Sequence, residues 1–264
     1  MHKILLDDFQ PFPLMPAMNN RIGKDRVLKF FGLDESLISG RLKHLFRKRG
    51  DMKWEAYSVY PETHLRICLE GSDEESILDE LDKLQRDISR LTAPAFFAID
   101  EHGMEDVVGR NLCEKGFTLS VAESCTGGRI GNLLTDVSGS SAYFLGGMIV
   151  YSNQSKEKLL NVSPDTLYEF GAVSDRTARE MAENVRALFH SDIGLAVTGI
   201  AGPEGGSRLK PVGTVHIGLA SENSIFSEKY CFEGTRDQVK QHGSIMALDW
   251  VRRYLNGYPF IPGV

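Results

Sequence analysis

Three stretches of the chain carry residues whose types and spacing could do chemistry. In "VAESCTGGRIGNLL", Ser124, Cys125 and Thr126 stand between an apolar run and the pair Gly127 and Gly128. If a strand ends at Ser124 and a helix begins just past the glycines, the turn presents a hydroxyl beside free backbone N–H groups. A nucleophile and an oxyanion site can then share one loop. The hydrolase elbow GxSxG is absent, and a plain helix cap by Ser124 or Thr126 is the alternative. The second stretch, "MIVYSNQSKEKLL", ends an apolar run at Tyr151 and brings Lys156 to the start of a helix. A lysine deprotonates a serine only when it is neutral, which requires burial or nearby positive charge. A solvated lysine paired with Glu157 is the ordinary alternative, and packing is the ordinary role of a tyrosine at a strand end. The third stretch, "TGIAGPEGGSRLKPVGTV", sets Gly199, Gly202, Gly205 and Gly206 with Pro203 after a buried strand, where backbone N–H groups could wrap a phosphate or ribose and Arg208 and Lys210 could add charge. It is neither a Walker A loop nor a GxGxxG that opens a helix. No histidine lies in these stretches, so Lys156 is the base available to a serine, and Cys125 is the rival nucleophile.

The elements that must position these residues read as two patterns. "RVLKFFGL" reads as a strand, and "DESLISGRLKHLFRKRG" as a capped helix with Leu37, Ile38, Leu42, Leu45 and Phe46 on one face. "WEAYSVYP" and "THLRICLEG" alternate as paired strands turned at Pro61, and a helix from a Ser72 cap closes the unit. "APAFFAIDEHGMED" is expected to link this unit to the next. From Met104 the reading is α/β. A helix precedes the strand "FTLSVAES", the helix after the quoted turn runs to Asp136, and the strand "GGMIVYS" follows. Helices then start near Lys156, Ser163 and Ser174. "IGLAVTGIAGP" is a continuous apolar strand whose end carries a loop, as in buried sheets with a site at the carboxyl end. "PVGTVHIGLAS" and "FSEKYCFEG" form an antiparallel pair before a last helix from Thr235 to Leu255. The expected fold is a three-layer α/β/α domain with a mixed sheet, preceded by a small α+β domain. The expected divisions are an arm over 1–22, the small domain over 23–100 and the α/β domain over 104–264.

At 264 residues and 42% apolar content the chain can bury a sizeable core, and a formal charge of -6 defines no partner class. Arg21 to Arg49 is basic and Asp73 to Asp82 acidic, but aromatic stacking positions are not evident beside the basic run, so a nucleic-acid partner is not expected. Cys68, Cys113, Cys125 and Cys231 lack CxxC or zinc spacing, so neither a disulfide framework nor a metal site is expected. No stretch has the length of a signal-peptide core or a membrane span, and a reducing cytoplasm is the expected location.

Taken together, "AESCTGG" (Ala122 to Gly128), "YSNQSKEKLLNV" (Tyr151 to Val162), "GAVS" (Gly171 to Ser174), "TGIAGPEGG" (Thr198 to Gly206) and "KPVGTV" (Lys210 to Val215) resemble, in order, the C-terminal domain of the CinA family, the nicotinamide-nucleotide amidase (PncC-type) family. Residues 23–100 resemble the KH-type domain that joins the two halves of full-length CinA proteins. The small domain lacks a GxxG in its basic stretch, so a structural or dimerising role is expected of it rather than nucleic-acid clamping. The large N-terminal domain of those proteins is not recognised here beyond the first twenty residues.

The resemblance implies hydrolysis of the carboxamide of nicotinamide mononucleotide to nicotinate mononucleotide and ammonia, with no cofactor or metal. Carried over by position, Ser124 is the nucleophile, Lys156 its base and Tyr151 a hydroxyl supporting that pair. N–H groups near Thr126 and Gly127 would hold the oxyanion. The expected substrate-binding set is Thr126, Gly127, Gly128, Thr198, Gly199, Gly202, Gly206 and Arg236. Many family members have Gly-Asp-Arg before the last helix; here "EGTR" keeps Arg236 and replaces the acid with Thr235, itself a good cap. The rival reading is a non-catalytic protein that binds a pyridine nucleotide or ADP-ribose. A homo-oligomer is left open.

Overall fold

A computed structural model describes residues 21–47 and 52–264. The arm expected over 1–22 lies almost wholly outside them, as do Lys48 and Arg49 of the basic run.

The first sheet has the order β2-β3-β1-β4, from β1 (Ile22–Phe30), β2 (Lys53–Val59), β3 (Glu62–Gly71) and β4 (Phe96–Ile99), with every neighbouring pair antiparallel. Two helices, α1 (Glu35–Arg47) and α2 (Glu74–Thr92), pack on it. Alternation puts Leu65, Ile67 and Leu69 inward from β3, and the 3.6-residue period of α2 turns Ile77, Leu81, Leu84 and Ile88 to meet them. Two local expectations are corrected. The cap of α2 is Asp73, not Ser72: its carboxylate accepts the Ser76 N–H at 2.8 Å and complements the positive helix start more strongly than a neutral hydroxyl would. Leu37 of α1 is exposed, since it falls a quarter turn off the face of Ile38 and Leu42. The stretch expected to link the two units supplies β4, so the connection shortens to residues 100–103.

The second sheet is mixed, with the order β6-β5-β7-β8-β9. Its strands are β5 (Leu119–Glu123), β6 (Phe144–Ile149), β7 (Ile193–Gly199), β8 (Thr214–Ala220) and β9 (Ile225–Cys231). The first three run parallel, β8 is antiparallel to β7, and β9 is antiparallel to β8. Its helices are α3 (Met104–Lys115), α4 (Arg129–Asp136), α5 (Asn153–Leu160), α6 (Pro164–Glu169), α7 (Asp175–Phe189) and α8 (Arg236–Asn256). Leu119, Val121, Leu195, Val197, Val215 and Ile217 face a core shared with α3, α4 and α8. Ala122, Ala196 and Ala220 face one shared with α5, α6 and α7. Small residues on that second face let α7 lie close: a Cβ added at Gly194 would stand 2.1 Å from the Ala182 carbonyl oxygen. The result is the three-layer α/β/α arrangement with a mixed sheet, beside a small α+β unit.

The two units touch along α8. Phe31 of the small unit enters the larger core, and Arg252 of α8 donates to the Pro94 carbonyl at 2.7 Å. His242 of α8 stacks on Phe232 and meets the edges of Phe31 and Tyr60. Burial pushes its pKa down to about 4.

Candidate active site

The site lies where β5 leaves the sheet. Period-2 alternation sends Val121 and Glu123 toward the α4 and α8 layer and Ser120, Ala122 and Ser124 toward the α5 and α7 layer. The Ser124 N–H continues the ladder to Val197 O at 2.9 Å, which fixes the serine at the strand's carboxyl end. One strand over, the chain turns from β6 into α5 behind a capping box, in which Ser152 Oγ accepts the Ser155 N–H at 3.0 Å. Lys156 is thereby aimed back under the sheet edge.

Ser124 and Lys156, 32 positions apart, meet at 2.9 Å between Oγ and Nζ. Lys156 is fully buried and Ser124 is 6% exposed. Nζ also donates to Val150 O at 2.7 Å and reaches Tyr151 O at 3.4 Å. In the neutral amine those two carbonyls can take both hydrogens, which leaves the lone pair pointing at the serine hydroxyl. Burial holds the Lys156 pKa down to about 8, because desolvation disfavours the ammonium. The same desolvation acts oppositely on Cys125, whose thiol is pushed up to about 12 and stays protonated near neutrality.

The other expected residues fall into place differently. Tyr151 is largely exposed, and its hydroxyl accepts from Arg236 Nη2 at 3.0 Å; it is the Tyr151 carbonyl, not the hydroxyl, that supports Lys156. Arg236 also donates to Gly202 O at 2.7 Å, so it ties the glycine loop to the turn after β6. The Gly127 N–H donates to Ser124 O at 3.2 Å, which takes it away from the expected oxyanion site, and the Gly128 N–H donates to Glu123 Oε2 at 3.0 Å. Thr126 Oγ1 is buried without a hydrogen-bond partner among the described residues. Thr198 Oγ1 is engaged with Ala172 O at 2.7 Å. The glycine loop is closely packed, so that a Cβ at Gly202 would stand 2.5 Å from Val212 Cγ1, one at Gly199 2.7 Å from Thr214 O, and one at Gly206 2.8 Å from Val212 N.

The CinA C-terminal domain family matches residues 101–255, and the damage-inducible protein CinA KH domain family matches residues 25–98. The chain belongs to the CinA family. A CinA-like protein of Geobacter sulfurreducens is 40% identical over 256 residues, covering 97% of this chain and 62% of the relative. One of Endomicrobium trichonymphae is 38% identical over 260 residues, covering 97% and 60%. The chain thus spans about three fifths of the length of the curated relatives it matches. Among solved structures, the CinA superfamily protein KP700603 of Klebsiella pneumoniae aligns with a TM-score of 0.57 at 29% identity, over 60% of this chain and 100% of its own. The competence/damage inducible protein CihA of Agrobacterium tumefaciens aligns with a TM-score of 0.55 at 36% identity, over 59% and 97%.

Two residues of this CinA-family site escape a reading of the sequence. Glu123 is 2% exposed and caps α4 from the strand before it, accepting N–H groups of Gly128, Ile130 and Gly131 at 3.0, 3.2 and 2.8 Å. No cap pattern covers that spacing, because the acceptor lies before the turn and reaches across it. Lys240 follows Arg236 by four positions on α8, and a Cβ added at Gly127 would stand 3.5 Å from its Nζ. The i, i+4 repeat of cations was the available signal. Among the described residues no cluster of three or more His, Cys, Asp or Glu could hold a metal ion, and no helix is long and apolar enough to cross a membrane.

Proposed function

We propose that the protein hydrolyses the carboxamide of nicotinamide mononucleotide, giving nicotinate mononucleotide and ammonia. The observation that carries this reading is the buried contact of 2.9 Å between Ser124 and Lys156 at the carboxyl end of a central parallel strand. Neutral Lys156 takes the serine proton as Oγ attacks the amide carbon, which the N-alkylated pyridinium makes electron-poor. Of the two N–H groups expected at the oxyanion, that of Gly127 is spent on Ser124 O, and the role is assigned to that of Thr126, which no other described group engages. Lys156 then returns the proton to the amide nitrogen, ammonia leaves, and an acyl ester remains on Ser124. A water attacks that ester, gives its proton through Lys156 to Ser124 Oγ, and releases the carboxylate.

Purified protein is expected to release ammonia from nicotinamide mononucleotide, with a kcat/KM that falls about tenfold per pH unit below a limb near 8. The sign follows from Lys156: its pKa is lowered to about 8, and the reactive amine is the form that dominates above that value. A bound pyridinium cation disfavours the ammonium further, so the limb in kcat lies at lower pH than the limb in kcat/KM. No ammonia from the wild-type protein would overturn the amidase reading. Cys125→Ala is expected to keep turnover within a few-fold of wild type, since the thiol is protonated and packs against Gly199. Loss of turnover in a folded Cys125→Ala protein would make the thiol the nucleophile instead.

A further inference from the structure

We propose that Tyr60, at the turn between β2 and β3 of the small unit, is a positioning residue for the active site of the α/β unit, acting through the start of α8 on Arg236. This rests on the amidase reading for its assay and goes beyond it by giving the small unit a part in the site.

The Tyr60 hydroxyl reaches three groups, all at the start of α8. His242 Nδ1 lies 3.2 Å away, and the carbonyl oxygens of Glu233 and Gln238 each lie 3.4 Å away. Glu233 and Gln238 bracket Arg236. The Gln241 side-chain amide donates to the Tyr60 carbonyl at 3.0 Å, and the Tyr60 ring meets the edge of His242. No other described group engages Glu233 O, so the tyrosine holds the chain just before the helix. A helix start lacks the internal bonds of its middle, and here the capping box of Thr235 and Gln238 is supplemented by a side chain from another unit.

Tyr60 is carried by a unit that is fixed elsewhere. About three turns past His242 on α8, Arg252 donates to the Pro94 carbonyl at 2.7 Å. The fully buried Asp249 accepts from the same guanidinium at 2.8 and 2.6 Å. Phe31 enters the larger core, and a Cβ on Gly32 would stand 2.7 Å from the Ile261 side chain. The β2–β3 turn therefore meets α8 as the end of a braced block.

Arg236 passes that position on in two directions. Its guanidinium donates to Gly202 O at 2.7 Å and to the Tyr151 hydroxyl at 3.0 Å. Tyr151 O lies 3.4 Å from Lys156 Nζ, and the glycine loop follows Gly199, where an added Cβ would stand 3.0 Å from Cys125 Sγ. Both segments that flank the Ser124 and Lys156 pair thus depend on one side chain. The pair itself does not. Ser124 is fixed by Val197 O, and Lys156 by Val150 O and the capping box of α5. Loss of the Tyr60 hold therefore loosens substrate binding and leaves proton transfer intact.

Kinetics and hydrogen exchange test this. Tyr60→Ala is expected to raise KM for nicotinamide mononucleotide at least about fivefold, with kcat within about twofold of wild type and the pH limb near 8 unmoved. Tyr60→Phe keeps the ring against His242 and should recover part of the loss. In an Arg236→Met background, Tyr60→Ala should add less than about twofold to KM. An unchanged KM in both Tyr60 variants, full additivity with Arg236→Met, or a fall in kcat alone would overturn the proposal. Amide exchange read by mass spectrometry needs no turnover. In Tyr60→Phe, residues 200–206, which Tyr60 does not touch, should exchange at least about threefold faster, together with residues 233–238. Faster exchange confined to 233–238, or none at all, would also overturn it. If the wild type releases no ammonia while exchange at 200–206 still responds to Tyr60→Phe, the amidase reading fails and the positioning role stands.

Discussion

Ser124→Ala and Lys156→Met each lower the turnover of nicotinamide mononucleotide by at least about a thousandfold, or about 4 kcal/mol of transition-state stabilisation. The double variant is little worse than either single one, because a nucleophile without its base and a base without its nucleophile lose the same step. Additive losses would mean that the two residues act separately despite their contact. Methionine keeps the apolar volume of the lysine stem, so the fold should survive. At pH 7 the folded protein holds Lys156 as an ammonium whose pKa is about 8 instead of 10.5. That represents a destabilisation of about 3 kcal/mol, relieved as pH rises from about 8 toward 10.5, where the unfolded chain still binds the proton. Removing the charge relieves it at every pH but leaves Val150 O without its donor, a cost of about 1–3 kcal/mol. The two effects oppose each other. Chemical denaturation of Lys156→Met should therefore fall within about 2 kcal/mol of wild type while turnover collapses. A variant that is inactive because it is unfolded would show itself in the same measurement.

How much of this was legible in the sequence differs from residue to residue. Each strand and helix of the α/β unit follows from apolar runs and caps that local physics reads well, as with Ser174 before α7 and Thr235 before α8. The pairing of Ser124 with Lys156 was legible only as two candidates. Their meeting depends on the parallel register that sets Glu123 against Ile149, and register between distant strands leaves no local trace. The glycine loop was ambiguous because glycine marks both a ligand cradle and a crowded turn; the crowding is seen at Gly202 and Gly206, where a Cβ would meet Val212. Tyr151 misled in a different way. A tyrosine in a motif suggests its hydroxyl, yet the exposed ring turns to Arg236 while the backbone carbonyl serves the lysine. Glu123 stayed hidden because it reaches across a turn to a helix start five to eight positions later, and Lys240 because it nears Gly127 only through a tertiary contact.

Glu123→Ala tests whether that hidden cap positions the nucleophile. The carboxylate accepts three N–H groups from the start of α4, and its own backbone is the residue before Ser124. Removing it leaves the buried donor of Ile130 and the partly buried donors of Gly128 and Gly131 without that acceptor, at the end of a helix whose dipole favours negative charge there. A loss of about 2–4 kcal/mol of stability follows, at the upper end if water cannot enter. Glu123→Gln is expected to recover only part, since the amide keeps one acceptor oxygen and turns a donor toward other donors. Because the turn is held to the strand through these bonds, turnover should fall as well in protein that remains folded, while the pH limb near 8 stays where Lys156 sets it. Urea titration and the ammonia assay on the same samples separate the two effects. A Glu123→Ala protein within about 0.5 kcal/mol of wild type would mean that solvent satisfies the helix start and that the cap does not hold the turn.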